Sequence, residues 1–426
     1  MSQLNEKQQA AIQNVVSGRN LYISGPGGVG KSFLIKHIVN QFSDSTVVLA
    51  PTGIAALNIG GSTVHSAFRL PANLLTKQHW TKYSDKAEEL FSKSGPVKRI
   101  VLDEVSMNRA DVFTTIDQQL RRIRRTNVPF GGLQIICVGD FYQLPPVISN
   151  QEKKVFFELY DSGFAFGSET WSSANFEYIE LTENMRQSDE TFRMHLGRIR
   201  MKLPGFQDSV DFFNKNARKN KDKVLDSDPI YLCTVNRVAD EINLGHYNDL
   251  DGEEHEFFAQ KVGDFKAEPA PYHLKLKYGT KVIFTCNTPE FKNGEMGYFL
   301  EKVGDKLLFI KENESEVLVS QTKWENKEYE VNGDNLDTKV TGTYTQYPVK
   351  HAWAVSIHKS QGLTLDHVVI DWGRGAFCAG QAYVALSRLR TLEGLTMTGD
   401  MGTSDIIVDP EVQEFYKNGC KGIGLF

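Results

Sequence analysis

Few segments limit a fold as tightly as Gly25-Pro-Gly-Gly-Val-Gly30-Lys31-Ser32, a glycine-rich turn between the apolar stretch Asn20-Leu-Tyr-Ile-Ser24 and the amphipathic stretch that runs on to Phe42. Glycines let the backbone wrap an anion with its amide N–H groups, and a helix that starts there turns the positive end of its dipole on the same point. In this order of strand, turn and helix, the segment reads as a phosphate-binding loop. Gly25, Pro26, Gly27, Gly28, Val29, Gly30, Lys31 and Ser32 would line a nucleotide, with Lys31 reaching the β and γ phosphates and Ser32 ligating Mg2+. The motif implies nucleotide binding and leaves turnover open.

The rest of the chain keeps the same rhythm. Thr46–Pro51, Arg99–Glu104, Leu133–Asp140 and Phe176–Thr182 are short apolar runs, each ending at a polar loop, as in a parallel sheet with ligand loops at its strand C-termini. Pro229–Asn236, Lys281–Asn287, His367–Gly373 and Leu395–Gly399 repeat the type and imply a second α/β unit. Residues 295–348 change character to short alternating stretches with turn residues, which predicts an inserted β-domain. Lys215–Lys223 is charged and reads as a solvated connector, with a nucleic-acid contact as the alternative. At 426 residues the chain has room for two to four domains.

Composition excludes some classes. The five cysteines, Cys137, Cys233, Cys286, Cys378 and Cys420, include no C-x-x-C pair, which fits a reducing, intracellular compartment (cytoplasm or nucleoid, with nucleus or organelle open) and no zinc site. No apolar run approaches the roughly 18 residues of a membrane span. A net charge of −5 argues against coating nucleic acid by bulk electrostatics, so any nucleic-acid path must be a local groove.

Arg99-Ile-Val-Leu-Asp103-Glu104 ends an apolar strand in two adjacent acids. Asp103 is placed to hold Mg2+ and Glu104 to polarise an attacking water; a plain helix-capping pair is the alternative. Arg186 and Arg388 are candidates for the charge on a transferring phosphoryl group, against the alternative of ordinary salt bridges.

With these residues in place the chain resembles a superfamily-one helicase of the PIF type, nearly end to end. Leu4-Asn5-Glu6-Lys7-Gln8 resembles the Q-motif, which implies that Gln8 reads adenine. Ala50–Ala56 with Thr63–Phe68 resembles motif Ia, Val138–Pro146 with Gln143 resembles motif III, Arg186 carries over as the motif IV arginine, Val355–Thr364 resembles motif V, and Gln381–Arg388 resembles motif VI. Asp117–Gly132, ending in Pro129-Phe-Gly-Gly132, resembles the signature that separates this family from others of the superfamily. Read without the family, Arg121, Arg122, Arg124 and Arg125 are the polar face of a helix.

The resemblance implies an α/β fold of two RecA-like P-loop NTPase domains with a small wedge insertion and an SH3-like β insertion. The first domain is expected at 1–180 with the wedge at 69–95, the second at 181–294 and 349–426, and the β insertion at 295–348. The implied activity is ATP- and Mg2+-dependent 5′→3′ unwinding of DNA by a monomer that binds single-stranded DNA and DNA with a 5′ overhang. The alternatives are a single-strand-stimulated ATPase or translocase subunit of a recombination or repair complex, and a nucleotide-gated clamp with negligible turnover. Lys31, Asp103, Glu104, Gln143, Arg186 and Arg388 would be catalytic. Pro51, Thr52, His65, Phe68, His358 and Thr364 would touch DNA, the hydroxyl and imidazole groups making modest, reversible phosphate contacts. Phe68, Tyr142 and Trp353 are candidates for base stacking, with core packing as the alternative. Phe68, Leu70 and Pro71 stand where the wedge begins.

Overall fold

The computed structural model describes residues 4–220, 229–332 and 335–420. Those residues form two compact units, one gathering the described residues within 1–185, 326–341 and 409–426, the other those within 186–325 and 342–408.

Unit 1 is built on a six-stranded sheet whose neighbours run Ser62–Thr63, Thr46–Ala50, Arg99–Leu102, Gln134–Val138, Leu21–Ser24, Glu177–Glu180. Every pairing is parallel. The central strands are buried along their length, and the helices Glu6–Val16 and Lys31–Gln41 cover one face through Ala11, Val15, Leu34, Ile35 and Ile38. Such uninterrupted apolar runs are what a sheet covered on both sides demands.

Two segments expected elsewhere group with unit 1. Residues 409–420, expected in the second domain, group with unit 1. The helix Pro410–Lys417 explains this: Phe415 is fully buried and stacks on Phe166 at 4.3 Å, while the Tyr416 hydroxyl meets those of Tyr22 at 2.7 Å and Ser24 at 2.8 Å. Burying one such ring contributes about 1.5–3 kcal/mol, enough to hold a short helix in place. Residues 326–341, expected in the β insertion, also group with unit 1: the Val48 N–H donates to the Tyr329 hydroxyl at 3.1 Å, and Lys86 pairs with Glu328 at 2.7 Å.

Unit 2 contains a four-stranded parallel sheet in the order Ala354–Ser356, Ile230–Cys233, Val368–Asp371, Leu395–Met397. Lys281–Phe284, expected in that sheet, lies instead in an antiparallel one, between Met296–Val303 and Val349–His351. The small β unit therefore begins before residue 295. Its core of Phe284, Phe299, Phe309 and Val349 closes only with that strand included. The run Lys281–Phe284 is buried in full, so its pattern is the same in either sheet and only its partners distinguish them. Lys215–Lys223 is not a connector over its described part: residues up to Asn220 continue the helix Phe206–Asn220, with Phe213, Ala217 and Asn220 buried, and 221–223 lie outside the described residues.

The expected wedge segment 69–95 holds the helix Asp85–Phe91 and packs on the helix Ala110–Ile123. The Leu75 N–H donates to Asp111, and the Gln119 amide donates to the carbonyls of His79 and Lys82.

Candidate nucleotide and nucleic-acid sites

Gly25 follows the buried strand Leu21–Ser24 at φ 149°, and a Cβ there would lie 2.4 Å from the Leu181 carbonyl oxygen. Gly30 caps the next helix at φ 81°, with no side chain bonded to the helix N-terminus. The first N–H groups of that helix therefore have no side-chain cap and point where an anion would sit. The Lys31 ammonium donates to the carbonyls of Gly25 at 2.7 Å and Pro26 at 3.0 Å.

A brace behind this loop escaped the sequence reading. The Met185 N–H donates to the Gly28 carbonyl at 2.9 Å, the Asn184 amide to Gly27 at 3.2 Å, and the Leu181 N–H to Ser24 at 2.9 Å. The stretch Leu181–Met185 thus holds the loop through its carbonyls and leaves the amides for a ligand. These bonds depend on tertiary placement, so no local signal marks them.

Gln8 forms a capping box with Asn5, its Oε1 accepting from the Asn5 N–H at 3.1 Å while Asn5 Oδ1 accepts from the Gln8 N–H at 2.8 Å. Its Nε2 is buried without a protein partner and lies 2.9 Å from where a Gly30 Cβ would be. A buried unpaired amide N–H costs about 1–3 kcal/mol. An acceptor on a base would satisfy it.

Asp103 is 7% exposed and accepts from the Glu104 N–H at 2.9 Å. Burial first, then the charge of Glu104, push its carboxyl up to about 7; that N–H and the Lys31 ammonium pull the other way. Glu104 stands in the left-handed region at φ 48°, a strained setting for a side chain that bears a Cβ. A buried carboxyl beside a second acid favours a cation at that point, and Ser32 at the start of the helix is exposed. The donor set, one carboxylate and one hydroxyl beside a phosphate site, fits Mg2+, which keeps several waters and takes few protein ligands.

Gln143 is 7% exposed in the turn after Gln134–Val138, its N–H donating to the Asp140 carbonyl at 2.9 Å. Pro51 is half-buried; Thr52 is exposed and caps the helix Gly53–Ile59, its hydroxyl accepting from the Ala55 N–H at 3.3 Å. His65 is half-buried in the helix Val64–Ala67.

Phe68 corrects the expectation that it touches DNA. It is fully buried, with its ring parallel to Phe91 at 5.1 Å and 3°. Leu70 is buried as well, so of the three expected wedge residues only Pro71 reaches solvent. Tyr142 stacks on Tyr416 at 4.6 Å, and Trp353 lies parallel to His246 at 5.7 Å; both are 8% exposed and belong to packing.

The arginines of the helix Ala110–Ile123 and the turn after it divide in two. Arg122 and Arg125 are exposed, as a polar face requires. Arg121 donates to Asp117 at 2.8 Å and also to the Asn127 carbonyl, whereas Arg124 donates to the carbonyls of Gly131 at 2.6 Å, Phe91 at 3.1 Å and Ser92 at 2.9 Å. They hold backbone together.

In unit 2, Arg186 donates to the Ser387 carbonyl at 2.7 Å, and Gln187 donates to the same carbonyl and to that of Leu389. Arg388 is 2% exposed, donating to the Val384 carbonyl at 3.0 Å and the Ser387 hydroxyl at 2.8 Å, and reaching the Ser360 and Leu363 carbonyls at 3.5 Å. The structure therefore brings the two arginines to one helix end, Ser387, and links Arg388 to the loop after His358. Burial lowers the Arg186 guanidinium from its usual value. His358 is half-buried, its ring parallel to Phe377 at 6.1 Å, and burial lowers its imidazole below the ordinary histidine value. Thr364 is half-buried in the same stretch.

Two α/β units of RecA type on parallel sheets, the first carrying a phosphate loop and an acid pair, define a P-loop NTPase. Comparison narrows the class. The model of the PIF1-like helicase family matches residues 3–200. A Bdellovibrio bacteriovorus protein named ATP-dependent DNA helicase Pif1 is 30% identical over 430 residues, which cover 97% of this chain and 92% of that protein. The chain belongs to the PIF1-like helicase family. The human ATP-dependent DNA helicase PIF1 is 32% identical over 444 residues covering 99% of this chain, which spans 65% of that relative's length. Among solved structures, Bacteroides sp. Pif1 in complex with ADP-AlF4 gives a TM-score of 0.89 at 30% identity, covering 98% of this chain and 97% of that one. Bacteroides Pif1 bound to ssDNA gives 0.70 at 31% identity, with 98% and 97% covered. No described helix is long and apolar enough to cross a membrane.

Proposed function

We propose that this chain is an ATP-driven DNA helicase that moves 5′→3′ on single-stranded DNA and separates duplexes bearing a 5′ overhang. The observation that carries this reading is the coincidence in unit 1 of the phosphate loop, Lys31 and the Asp103–Glu104 pair, in a chain of the PIF1-like family. The relatives' names, and the nucleotide-bound and ssDNA-bound Pif1 structures it resembles, support it.

In this reading Gly25–Ser32 cradle the phosphates of ATP and Gln8 meets the adenine edge. Ser32 and Asp103 would hold Mg2+, which when bound would supply positive charge beside the β and γ phosphates. Glu104 orients and deprotonates the attacking water, and Arg186 and Arg388 stabilise charge on the transferring group. Gln143 links nucleotide state to the DNA path. Pro51, Thr52 and His65 of unit 1, and His358 and Thr364 of unit 2, hold the strand through its phosphates. The burial of His358 favours its neutral form, which suits a hydrogen bond that is remade at each step. Phe68 is left out because it has no exposed face. The protein acts as a monomer inside the cell.

The test is unwinding of partial duplexes with either a 5′ or a 3′ single-stranded tail, with ATP and Mg2+, and Lys31→Ala as the inactive control. Unwinding confined to the 5′-tailed substrate is expected. Unwinding of the 3′-tailed duplex alone would overturn the direction, and neither substrate unwinding would overturn the helicase reading.

A further inference from the structure

Phe377 is 60% exposed, yet the loop that carries it is firmly built. The Gly375 N–H donates to the Trp372 carbonyl at 2.7 Å, the Ala376 N–H to Asp405 at 2.8 Å, and the Phe377 N–H to Gln381 Oε1 at 3.0 Å. Gln381 is fully buried and its amide donates in turn to the Thr234 carbonyl at 3.0 Å. Gly375 fits here because it turns at φ 99°, where a Cβ would lie 2.7 Å from an Asp405 oxygen. Three consecutive backbone anchors fix the direction in which the Phe377 side chain leaves the loop, and its ring stands largely in solvent.

Isolated exposed apolar side chains are common and need no explanation by themselves. The position of this one calls for one. His358 follows the strand Ala354–Ser356 and Phe377 follows Val368–Asp371, both members of the parallel sheet of unit 2, so both lie beyond the same edge, where ligands of open α/β sheets bind. The rings are nearly parallel, 17° apart with centroids at 6.1 Å. Arg374, in the same loop, is exposed. An exposed aromatic face beside an imidazole and a cation combines the groups that hold a single strand, one for the base and two for its phosphates.

We propose that Phe377 is a base-stacking platform, one nucleobase of single-stranded DNA lying on the solvent face of its ring while His358 and Arg374 meet the adjoining backbone. This rests on the helicase reading above, since it needs a single strand crossing unit 2. Stacking is indifferent to base identity, because every base has a π-face. A motor that moves over any sequence requires that property.

The test uses the full chain and two labelled strands of equal length and charge, oligo-dT and a base-less deoxyribose-phosphate strand, titrated by fluorescence anisotropy. Phe377→Ala is expected to weaken oligo-dT binding about tenfold, the order of one stacked base, and to leave the base-less strand nearly unchanged. Phe377→Tyr should restore oligo-dT binding to within about threefold of the parent, while Phe377→Leu, apolar but without a π-face, should resemble the alanine variant. Equal weakening of both strands by Phe377→Ala, or of neither, would overturn the proposal, as would parent-like oligo-dT affinity of the leucine variant. If the parent chain binds no single strand at all, the helicase reading fails first and this inference falls with it.

Discussion

Replacing Asp117 with alanine tests whether the signature Asp117–Gly132 is architecture. Asp117 is fully buried; its Oδ1 accepts from the Phe130 N–H at 2.6 Å, and its Oδ2 accepts from the Thr170 hydroxyl at 3.1 Å and Arg121 Nε at 2.8 Å. The carboxylate thereby holds a turn in which Phe130 and Gly131 both take left-handed backbone angles, φ 51° and 65°. A non-glycine residue there costs roughly 1–2 kcal/mol. That cost is offset by the buried Phe130 ring, which meets Phe113 edge-on at 5.3 Å. Asp117→Ala leaves two donors unsatisfied in the interior, each bond to a charged acceptor contributing about 1.5–3 kcal/mol. Arg121, with 22% of its side chain exposed, rehydrates and adds at most about 1 kcal/mol. The expected loss is about 4 kcal/mol, a fall in thermal midpoint of about 10 °C for a unit of this size. Asp117→Asn, which keeps an acceptor, should lose about half of that. Arg122→Ala, on an exposed side chain of the same helix, should stay within about 0.5 kcal/mol. Differential scanning fluorimetry of the three variants decides the matter: an Asp117→Ala midpoint within about 2 °C of the parent would refute the architectural account.

Glu104→Gln should retain ATP and Mg2+ binding while single-strand-stimulated phosphate release slows at least ~10²-fold, the scale of a lost general base; equal losses of affinity and rate would assign it a structural role. Gln8→Ala should reduce the preference for ATP over GTP by about two- to tenfold, the worth of one hydrogen bond, with an unchanged preference counting against adenine reading. Phe68→Ala should cost about 3–5 kcal/mol in melting experiments while the folded fraction keeps its single-strand affinity within about threefold; a selective loss of affinity would return Phe68 to the DNA path. Burial holds the His351 imidazole below its ordinary value, although its bond to the Lys275 carbonyl at 2.7 Å pulls upward. The unfolded chain therefore binds a proton first, and stability should decline as pH falls below about 6.5, less steeply in His351→Gln; identical slopes would exclude His351 as the cause.

The phosphate loop, the acid pair and the parallel sheet of unit 1 were legible in the chain because their chemistry is local. A strand, a glycine turn and a helix adjoin in sequence, and Asp103 and Glu104 are neighbours. The capping box of Asn5 and Gln8, three residues apart, is equally local, but in the sequence it reads only as a resemblance to the Q-motif. What only tertiary structure decided are matters of partnership. The buried run Lys281–Phe284 reads the same in a parallel or an antiparallel sheet, and its antiparallel neighbours chose between them. Phe68 carries no mark in its own sequence that Phe91, more than twenty positions away, covers its face. The helix Pro410–Lys417 joined unit 1 because Phe166 and Tyr22 offered its aromatics a buried site. Motif spacing encodes which groups meet a ligand, but burial depends on the sum of distant contacts, so the sequence named the chemistry and the fold determined which side chains remained free to perform it.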